Sequence, residues 1–258
     1  MATPESQHWY YPNGSPAYEV PGAKGQPVTP DVRHARKLGL LPSVTSIMKV
    51  LAAPGLERWK REQAILAALT LTRLPDETDK DFLRRVDDDA RAHGEQRANE
   101  GKEIHKAIER ALGGHIYDPK WTEHVAGVQK LLADLPDSFV GDFKTKESLD
   151  GKVAFYDEHI MQLAAYRKGL WSGASQPEWP IEGPRLRCES SFAHEFGFGG
   201  RVDVHTLNLT SESPLVSIMI SVNEPGKVLH KIWPEDEAQR GWQMFEHALR
   251  LWQLRNRI

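Results

Sequence analysis

Residues 141–146 read GDFKTK, a stretch that places Asp142 and Lys144 two positions apart. The surrounding run, SFVGDFKT, contains residues that favour strands and is bounded by turn formers, so we predict a β-strand. Side chains alternate between the two faces of a strand, so Asp142 and Lys144 share one face. Phe143 and Thr145 share the other face, where apolar packing is available. The strand is therefore predicted to have one charged face and one packed face.

An acid and a lysine two positions apart are weak evidence by themselves. With 36 acidic residues in a chain of 258, composition alone is expected to produce about two such tripeptides. An ion pair on a solvated strand face also contributes little stability. The tripeptide becomes informative only when other side chains of suitable chemistry join it.

Length and composition limit the class of protein. A chain of 258 residues, 40% of them hydrophobic, is long enough to bury a substantial core. The formal net charge is −3, so contact with nucleic-acid phosphates requires a local basic patch or a bound metal. The single cysteine, Cys188, excludes an internal disulfide and a four-cysteine iron–sulfur cluster. No secretion signal or membrane span is recognised, so we expect a cytoplasmic protein without membrane contact.

The pattern along the chain predicts an α/β (α+β) fold in which helices flank a mixed central sheet. Prolines and glycines predict that residues 1–42 form an extended arm with little regular structure, pinned to the body by Trp9, Tyr10 and Tyr11. Residues 43–258 are expected to form one domain, with a helical region over 43–135 and a sheet core with a C-terminal helix over 136–258. Besides SFVGDFKT, the predicted strands are RLRCESSFA, GGRVDVHTL, PLVSIMISV and GKVLHKIW.

Besides the helical stretch YDEHIMQLAAYRKG, five helices are predicted from capping and periodicity. They are a helix capped by Ser43 and stopped at Pro54–Gly55, a helix over Leu56–Leu71, a polar helix over Asp76–Gly113 broken or hinged near Gly94 and Gly101, a helix over residues 119–135, and a closing helix after Pro234 with Trp242, Phe245 and Trp252 in the core.

A second carboxylate lies in the stretch FGFGGRVDVH. Alternation places Arg201, Asp203 and His205 on one face of the predicted strand. If this strand neighbours the GDFKTK strand, Asp203 and Asp142 converge, and two close carboxylates are costly unless a proton or a divalent cation neutralises them. Hard oxygen ligands favour Mg²⁺ or Mn²⁺. Lys144 beside such a cation is placed to orient or help deprotonate a water.

Two helical stretches add further candidates. In GKEIHKAIERALGG, Ile104, Ile108 and Leu112 form the predicted buried stripe, and His105 lies beside it. A lone helical histidine is more often a core or surface residue than a metal ligand.

In YDEHIMQLAAYRKG, Gln162 and Tyr166 share one helical face, with His159 one turn before Gln162. Taken alone, this second stretch is an ordinary amphipathic helix.

In combination, these stretches resemble the RecB-like branch of the PD-(D/E)XK nucleases, which includes phage-type exonucleases and the mitochondrial genome maintenance exonuclease. The resemblance extends from about Leu41 to Arg257. It implies a restriction-endonuclease-like core and metal-dependent hydrolysis of DNA phosphodiesters from single- or double-stranded ends. It implies that Mg²⁺ or Mn²⁺ is bound by His105, Asp203, Asp142 and the Phe143 carbonyl, with Glu189 in support of the metal site. It also implies that Lys144 is the catalytic lysine, acting with Asp142 and Asp203. Three further residues are implied to lie near the DNA: Gln162, Tyr166 and Arg201.

The order of the motifs differs from that of the family. Here the block from GDFKTK to QLAAYR precedes ESSF and GGRVDVH, whereas in the family it follows them. The sheet can keep its arrangement if the new connections reach, and the stretches WSGASQPEWPIEGPR and LTSESP are suitable linkers. If the strands do not pair as in the family, Asp142 and Asp203 do not meet and no metal site forms.

Three functions are therefore compared. The first is an exonuclease of phage or prokaryotic DNA recombination, repair or degradation. The second is a catalytically inactive DNA-binding protein on the same scaffold, holding a strand with residues such as Arg58, Trp59 and Lys60. The third is a structural or interaction protein, which leaves the coincidence of Asp142, Lys144 and the other motifs unexplained.

Overall fold

The computed structural model of the protein describes residues 9–13, 15–174 and 210–257. These residues form helices and small sheets in a mixed arrangement consistent with an α+β fold. The predicted strands RLRCESSFA and GGRVDVHTL lie outside the described residues, and so do Glu189, Arg201 and Asp203.

Helices make up most of the regular structure in these ranges. They are α1 (Val32–Leu38), α2 (Val44–Met48), α3 (Pro54–Thr70), α4 (Asp79–Leu112), α5 (Thr122–Leu132), α6 (Asp157–Ala174) and α7 (Glu235–Asn256), with a 3₁₀ turn over Pro119–Trp121 before α5. None of the helices in the described part of the chain has both the length and the apolar character needed to cross a bilayer.

The strands form one central sheet and two small ribbons. They are β1 (Trp9–Tyr10), β2 (Val20–Pro21), β3 (Pro27–Val28), β4 (Leu41–Pro42), β5 (Val140–Lys146), β6 (Leu215–Ser221) and β7 (Val228–Trp233). The ribbons pair β1 with β4 and β2 with β3, both antiparallel.

The central sheet has the order β5-β6-β7. Strand β6 lies parallel to β5, with Asp142 opposite Ser217 and Lys144 opposite Met219, and β7 is antiparallel to β6. All seven residues of β6 are buried, because helices cover both faces of the sheet. Strand β5 is an edge strand within the described residues. The predicted mixed sheet with flanking helices is confirmed for the strands that the structure describes.

Each face of the sheet packs on its own helices. On one face, Ile104 of α4 and Val125 of α5 share a buried cluster with Ile218, and Phe143 packs against that cluster. On the other face, Leu163 of α6 is buried in a cluster with residues of all three strands. The alternation predicted for β5 is therefore confirmed: Phe143 packs toward α4 and α5, and the charged face of the strand is turned to α6.

The N-terminal residues share a core with α6 and α7. Trp9 is buried, and its ring lies 5.9 Å from that of Trp252. The prediction that this segment is pinned to the body is confirmed for Trp9. The expectation of little regular structure is wrong for α1, where the Asp31 carboxylate accepts hydrogen bonds from the backbone N–H groups of Arg33 and His34. An N-cap of this kind stabilises the first turn.

The helix predicted from Ser43 begins where expected but ends early. Ser43 Oγ accepts a hydrogen bond of 3.0 Å from the N–H of Ser46, as an N-cap does. The helix stops at Met48, and Pro54 begins α3 rather than ending α2. A proline is well tolerated in the first turn, where its missing N–H has no intrahelical partner to lose.

Helix α4 runs unbroken for 34 residues, so the expected break near Gly94 and Gly101 is wrong. A Cβ at Gly101 would lie 2.5 Å from Thr145 Oγ1, and one at Gly94 would lie 3.4 Å from the ring of Trp59. Gly101 therefore permits close approach of the helix to β5. Of the predicted stripe, Ile104 and Ile108 are buried, whereas Leu112 is 49% exposed because it ends the helix.

The closing helix follows Pro234, as predicted. Phe245 and Trp252 are buried, and Trp242 is partly buried against the same core. The prediction that these aromatic residues belong to the core is confirmed.

Candidate active site

Asp142 and Lys144 form an ion pair on the face of β5 that is turned to α6. Lys144 Nζ lies 2.8 Å from Asp142 Oδ2. Asp142 is only 7% exposed, whereas the Lys144 side chain retains 31% of its exposure. The carboxylate is therefore held inside the fold while the ammonium group still reaches solvent.

Gln162 of α6 joins this pair. Its Oε1 accepts a hydrogen bond of 2.8 Å from Lys144 Nζ. Its Nε2 donates to Asp142 Oδ1 at 3.4 Å and to the Tyr166 hydroxyl at 2.5 Å. An ammonium group is only a donor, so the amide oxygen must be the atom that faces Lys144. Both Gln162 and Tyr166 are buried, so this network is an internal support of the charged pair.

Local periodicity explains why these side chains meet. Strand alternation directs Asp142 and Lys144 to the same side of β5. Residues three and four apart on a helix lie on one face, so α6 presents Gln162 and Tyr166 together. The predicted sharing of a face is confirmed for both pairs, and the packing of α6 on the sheet brings the two faces into contact.

His105 of α4 lies within electrostatic range of the pair, on a helix that packs on the opposite face of the sheet from α6. The pKa of His105 is lowered to about 4, mainly by burial; the negative charge of Asp142 opposes this shift and the positive charge of Lys144 adds to it. The imidazole is therefore neutral at pH 7. A histidine must be neutral to bind a metal ion, so His105 is in the protonation state that the predicted ligand role requires.

His159, one turn before Gln162, belongs to the site, although the sequence predicted no role for it. Burial lowers its pKa to about 4; the charge of Lys144 lowers it as well, and that of Asp142 opposes the shift. Its Nδ1 accepts a hydrogen bond of 3.3 Å from the N–H of Tyr156. The spacing of His159, Gln162 and Tyr166 on one helical face is the signal in the sequence that indicates its position.

The described residues include only part of the predicted ligand set. His105 and Asp142 lie within range of each other's charge, and Phe143 follows Asp142 in β5. Asp203 and Glu189 lie outside the described residues. Within the ranges that are described, no group of three or more histidine, cysteine, aspartate or glutamate side chains is arranged to hold a metal ion.

The two basic residues proposed for the alternative DNA-binding surface on α3, Arg58 and Lys60, form ion pairs with acidic residues of the same helix. Arg58 pairs with Glu62 at 2.9 Å, and Lys60 pairs with Glu57 at 3.3 Å. Trp59 is half-buried, with its ring facing Gly94. These ion pairs reduce the positive charge that this part of α3 offers to a phosphate backbone.

Comparison with known proteins finds no match to this chain among protein-family models, curated proteins or solved structures.

Proposed function

We propose that the protein is a metal-dependent deoxyribonuclease that hydrolyses phosphodiester bonds from DNA ends. The observation that supports this most directly is the position of Lys144, whose Nζ lies 2.8 Å from both Asp142 Oδ2 and Gln162 Oε1. The resemblance of the motifs to RecB-like PD-(D/E)XK nucleases supplies the reaction. On this proposal, the sheet and its helices form a restriction-endonuclease-like core in a cytoplasmic protein of phage or prokaryotic DNA recombination, repair or degradation.

Asp142 and His105 fit a binding site for Mg²⁺ or Mn²⁺. A carboxylate oxygen is a hard ligand that both ions favour, and a neutral imidazole is acceptable to Mn²⁺ in particular. The low pKa of His105 keeps its ring unprotonated at neutral pH. The resemblance adds Asp203 and the Phe143 carbonyl as further ligands, with Glu189 in support. Such an ion lowers the pKa of a bound water and offsets negative charge on a phosphate.

We assign to Lys144 the role of donating a hydrogen bond to the attacking water or to a phosphate oxygen. An ammonium group has three N–H donors, and Gln162 uses one of them. The contact with Asp142 Oδ2 is an ion pair without the alignment of a hydrogen bond. Donors therefore stay available on the solvent side for a water or a phosphate oxygen. Asp142 and Gln162 limit the directions in which the ammonium group can point, which orients those donors.

The proposal is tested with end-labelled single- and double-stranded DNA incubated with Mg²⁺, Mn²⁺ or a chelator. We expect release of nucleotides that requires the cation and is lost in Asp142→Asn and Lys144→Ala. Lys24→Ala, which removes an exposed lysine of the N-terminal segment, is the matched control and is expected to retain activity.

Two outcomes contradict the proposal. Intact DNA ends in manganese buffer overturn the hydrolase assignment. Salt-dependent DNA binding without cleavage under any divalent cation favours the inactive DNA-binding protein instead.

A further inference from the structure

We propose that Tyr156 and His159 form a subsite for the DNA strand beside Lys144, in which a base stacks on the Tyr156 ring and a phosphate oxygen accepts a hydrogen bond from His159 Nε2. The choice of DNA as the ligand rests on the proposed function. The subsite lies at the beginning of α6 and uses two side chains that the motif resemblance does not assign.

The position of His159 places it beside the charged pair. It lies one turn before Gln162 on the face of α6 that is turned to β5, and Gln162 holds Lys144. The charges of Lys144 and Asp142 both act on the His159 ring. On this proposal, a strand whose phosphate reaches the Lys144 ammonium also passes this imidazole.

The tautomer of His159 is determined by its contact with the backbone. Nδ1 accepts a hydrogen bond from the N–H of Tyr156 at 3.3 Å, so Nδ1 carries no proton. Because the ring is neutral at pH 7, its single proton is on Nε2. In the described part of the chain, His159 Nε2 makes no hydrogen bond to protein, and the atom is not fully buried. His159 thus presents an N–H donor to solvent beside Lys144.

Tyr156 supplies an aromatic surface next to this donor. It is 49% exposed, and its ring lies 5.6 Å from that of His159 at an interplanar angle of 78°. In this edge-to-face arrangement His159 covers at most one face of the Tyr156 ring, and the exposure of Tyr156 leaves ring surface accessible for stacking. Exposed aromatic rings beside a phosphate-binding group are the usual means of holding a single strand without reading its sequence.

One of the two acidic charges at this turn is paired. Asp157 and Glu158 both lie between the two side chains in sequence, and the Asp157 carboxylate pairs with Arg240 at 3.0 Å. This ion pair reduces the repulsion that Asp157 exerts on a nucleic-acid backbone.

The binding test uses a single-stranded oligonucleotide that carries 2-aminopurine near its end, with Ca²⁺ in place of Mg²⁺. Stacking on Tyr156 is expected to quench the 2-aminopurine fluorescence. Tyr156→Ala is expected to remove the quenching and weaken binding about tenfold, whereas Tyr156→Phe retains both, since phenylalanine keeps the ring. Tyr18→Ala removes a comparably exposed tyrosine, at 46% exposure, from the N-terminal segment and is the control expected to bind normally.

The kinetic test uses the same strand with Mg²⁺ or Mn²⁺. His159→Ala is expected to raise KM about fivefold to tenfold with kcat within about twofold, because the lost contact is made to the bound strand before and during reaction. His159→Gln keeps an N–H donor at a similar reach and is expected to restore most of the affinity. His247→Gln, on the exposed side of α7, is the control, and melting temperatures verify that each variant is folded.

The results separate this inference from the proposed function. Wild-type binding, quenching and KM in folded Tyr156→Ala and His159→Ala variants overturn the subsite even when the enzyme cleaves DNA. If the wild-type protein binds DNA but does not cleave it, and these variants lose binding, the subsite is supported and the hydrolase assignment fails. A wild-type protein that does not bind DNA in either assay overturns both.

Discussion

The amide oxygen of Gln162 lies 2.8 Å from the ammonium nitrogen of Lys144. This contact joins α6 to β5 at the charged face of the strand, and the same amide donates through its nitrogen to Asp142 and Tyr166. One neutral side chain thus holds both members of an ion pair. The orientation of Lys144 depends on a residue that is itself buried.

Replacing Gln162 by leucine should therefore reduce catalysis without removing any group that reacts. The size of the side chain is nearly kept, but Lys144 loses an acceptor and Asp142 loses a donor. We expect kcat to fall by about 10- to 100-fold, the range typical of groups that orient a reactive residue. Single-turnover rates on end-labelled DNA measure this, and Tyr166→Phe should cause a smaller loss. An unchanged rate in a folded Gln162→Leu variant contradicts the positioning role.

The close approach of α4 to β5 gives a prediction about stability. Gly101→Ala places a methyl group 2.5 Å from Thr145 Oγ1, and we expect a loss of about 1 to 3 kcal/mol in the free energy of unfolding. Thr145→Ala removes the obstructing oxygen and should recover much of this loss in the double variant. Urea denaturation of the two single variants and the double variant measures the coupling.

Gly94→Ala is the matched control in the same helix. Its new Cβ would lie 3.4 Å from the ring of Trp59, an ordinary contact, and alanine favours a helix over glycine. This variant should be neutral or slightly more stable. Equal destabilisation at both glycines would show that the contact with Thr145 is not the cause.

The buried histidines predict how the stability of the metal-free protein depends on pH. Burial lowers the pKa values of His105 and His159 to about 4, so the unfolded chain binds protons that the folded chain does not as pH falls below about 6.5. Their contribution is complete above that pH and is lost progressively towards pH 4. Each pKa difference limits the loss to about 3 kcal/mol, and partial solvent access makes about 1 kcal/mol each the more reasonable expectation.

Urea midpoints in a chelating buffer at pH 7 and pH 5 measure this effect. In that interval, carboxylates with lowered pKa values, such as Asp31 and Glu235, stay charged, whereas Glu109, whose pKa burial raises, contributes with the opposite sign and reduces the measured fall. His159→Gln should reduce the difference between the two midpoints. A midpoint that does not fall between pH 7 and pH 5 contradicts the prediction.

A buried hydrogen bond supports the strand beside β5. Trp233 Nε1 donates to Ser217 Oγ at 2.9 Å, and both residues are buried. Ser217→Ala leaves the indole N–H without an acceptor, which should cost about 1 to 3 kcal/mol. Trp233→Phe removes a donor and part of a large ring. The double variant is expected to lose less than the sum of the two single losses in thermal or urea denaturation, and strict additivity would show that the bond contributes nothing.

The sequence was sufficient wherever a local rule determines the result. Strand alternation places Asp142 and Lys144 on one face and Phe143 on the other, and an N-cap serine begins α2 at the expected residue. These features depend on side-chain periodicity and on hydrogen bonds within a few residues. They require no knowledge of distant neighbours.

The features that were predicted wrongly or missed depend on distant neighbours. Glycine at position 101 indicates a break by helix propensity, yet its reason is Thr145, 44 positions further along the chain. The environment of His159 likewise arises from Lys144 on β5, which local spacing does not reveal. Only the packing of α4 and α6 on the sheet gives these residues their roles.

The contact between Trp9 and Trp252 has a consequence for biosynthesis. As the chain leaves the ribosome, the Trp9 ring lacks its contact with Trp252 until 243 further residues have been translated. A shorter delay applies to β5, whose parallel neighbour β6 lies 75 positions downstream. The nascent protein therefore exposes the ring of Trp9 until Trp252 is made and the edge of β5 until β6 is made, and such separated contacts make chaperone capture more important for this chain than for one whose contacts are sequential.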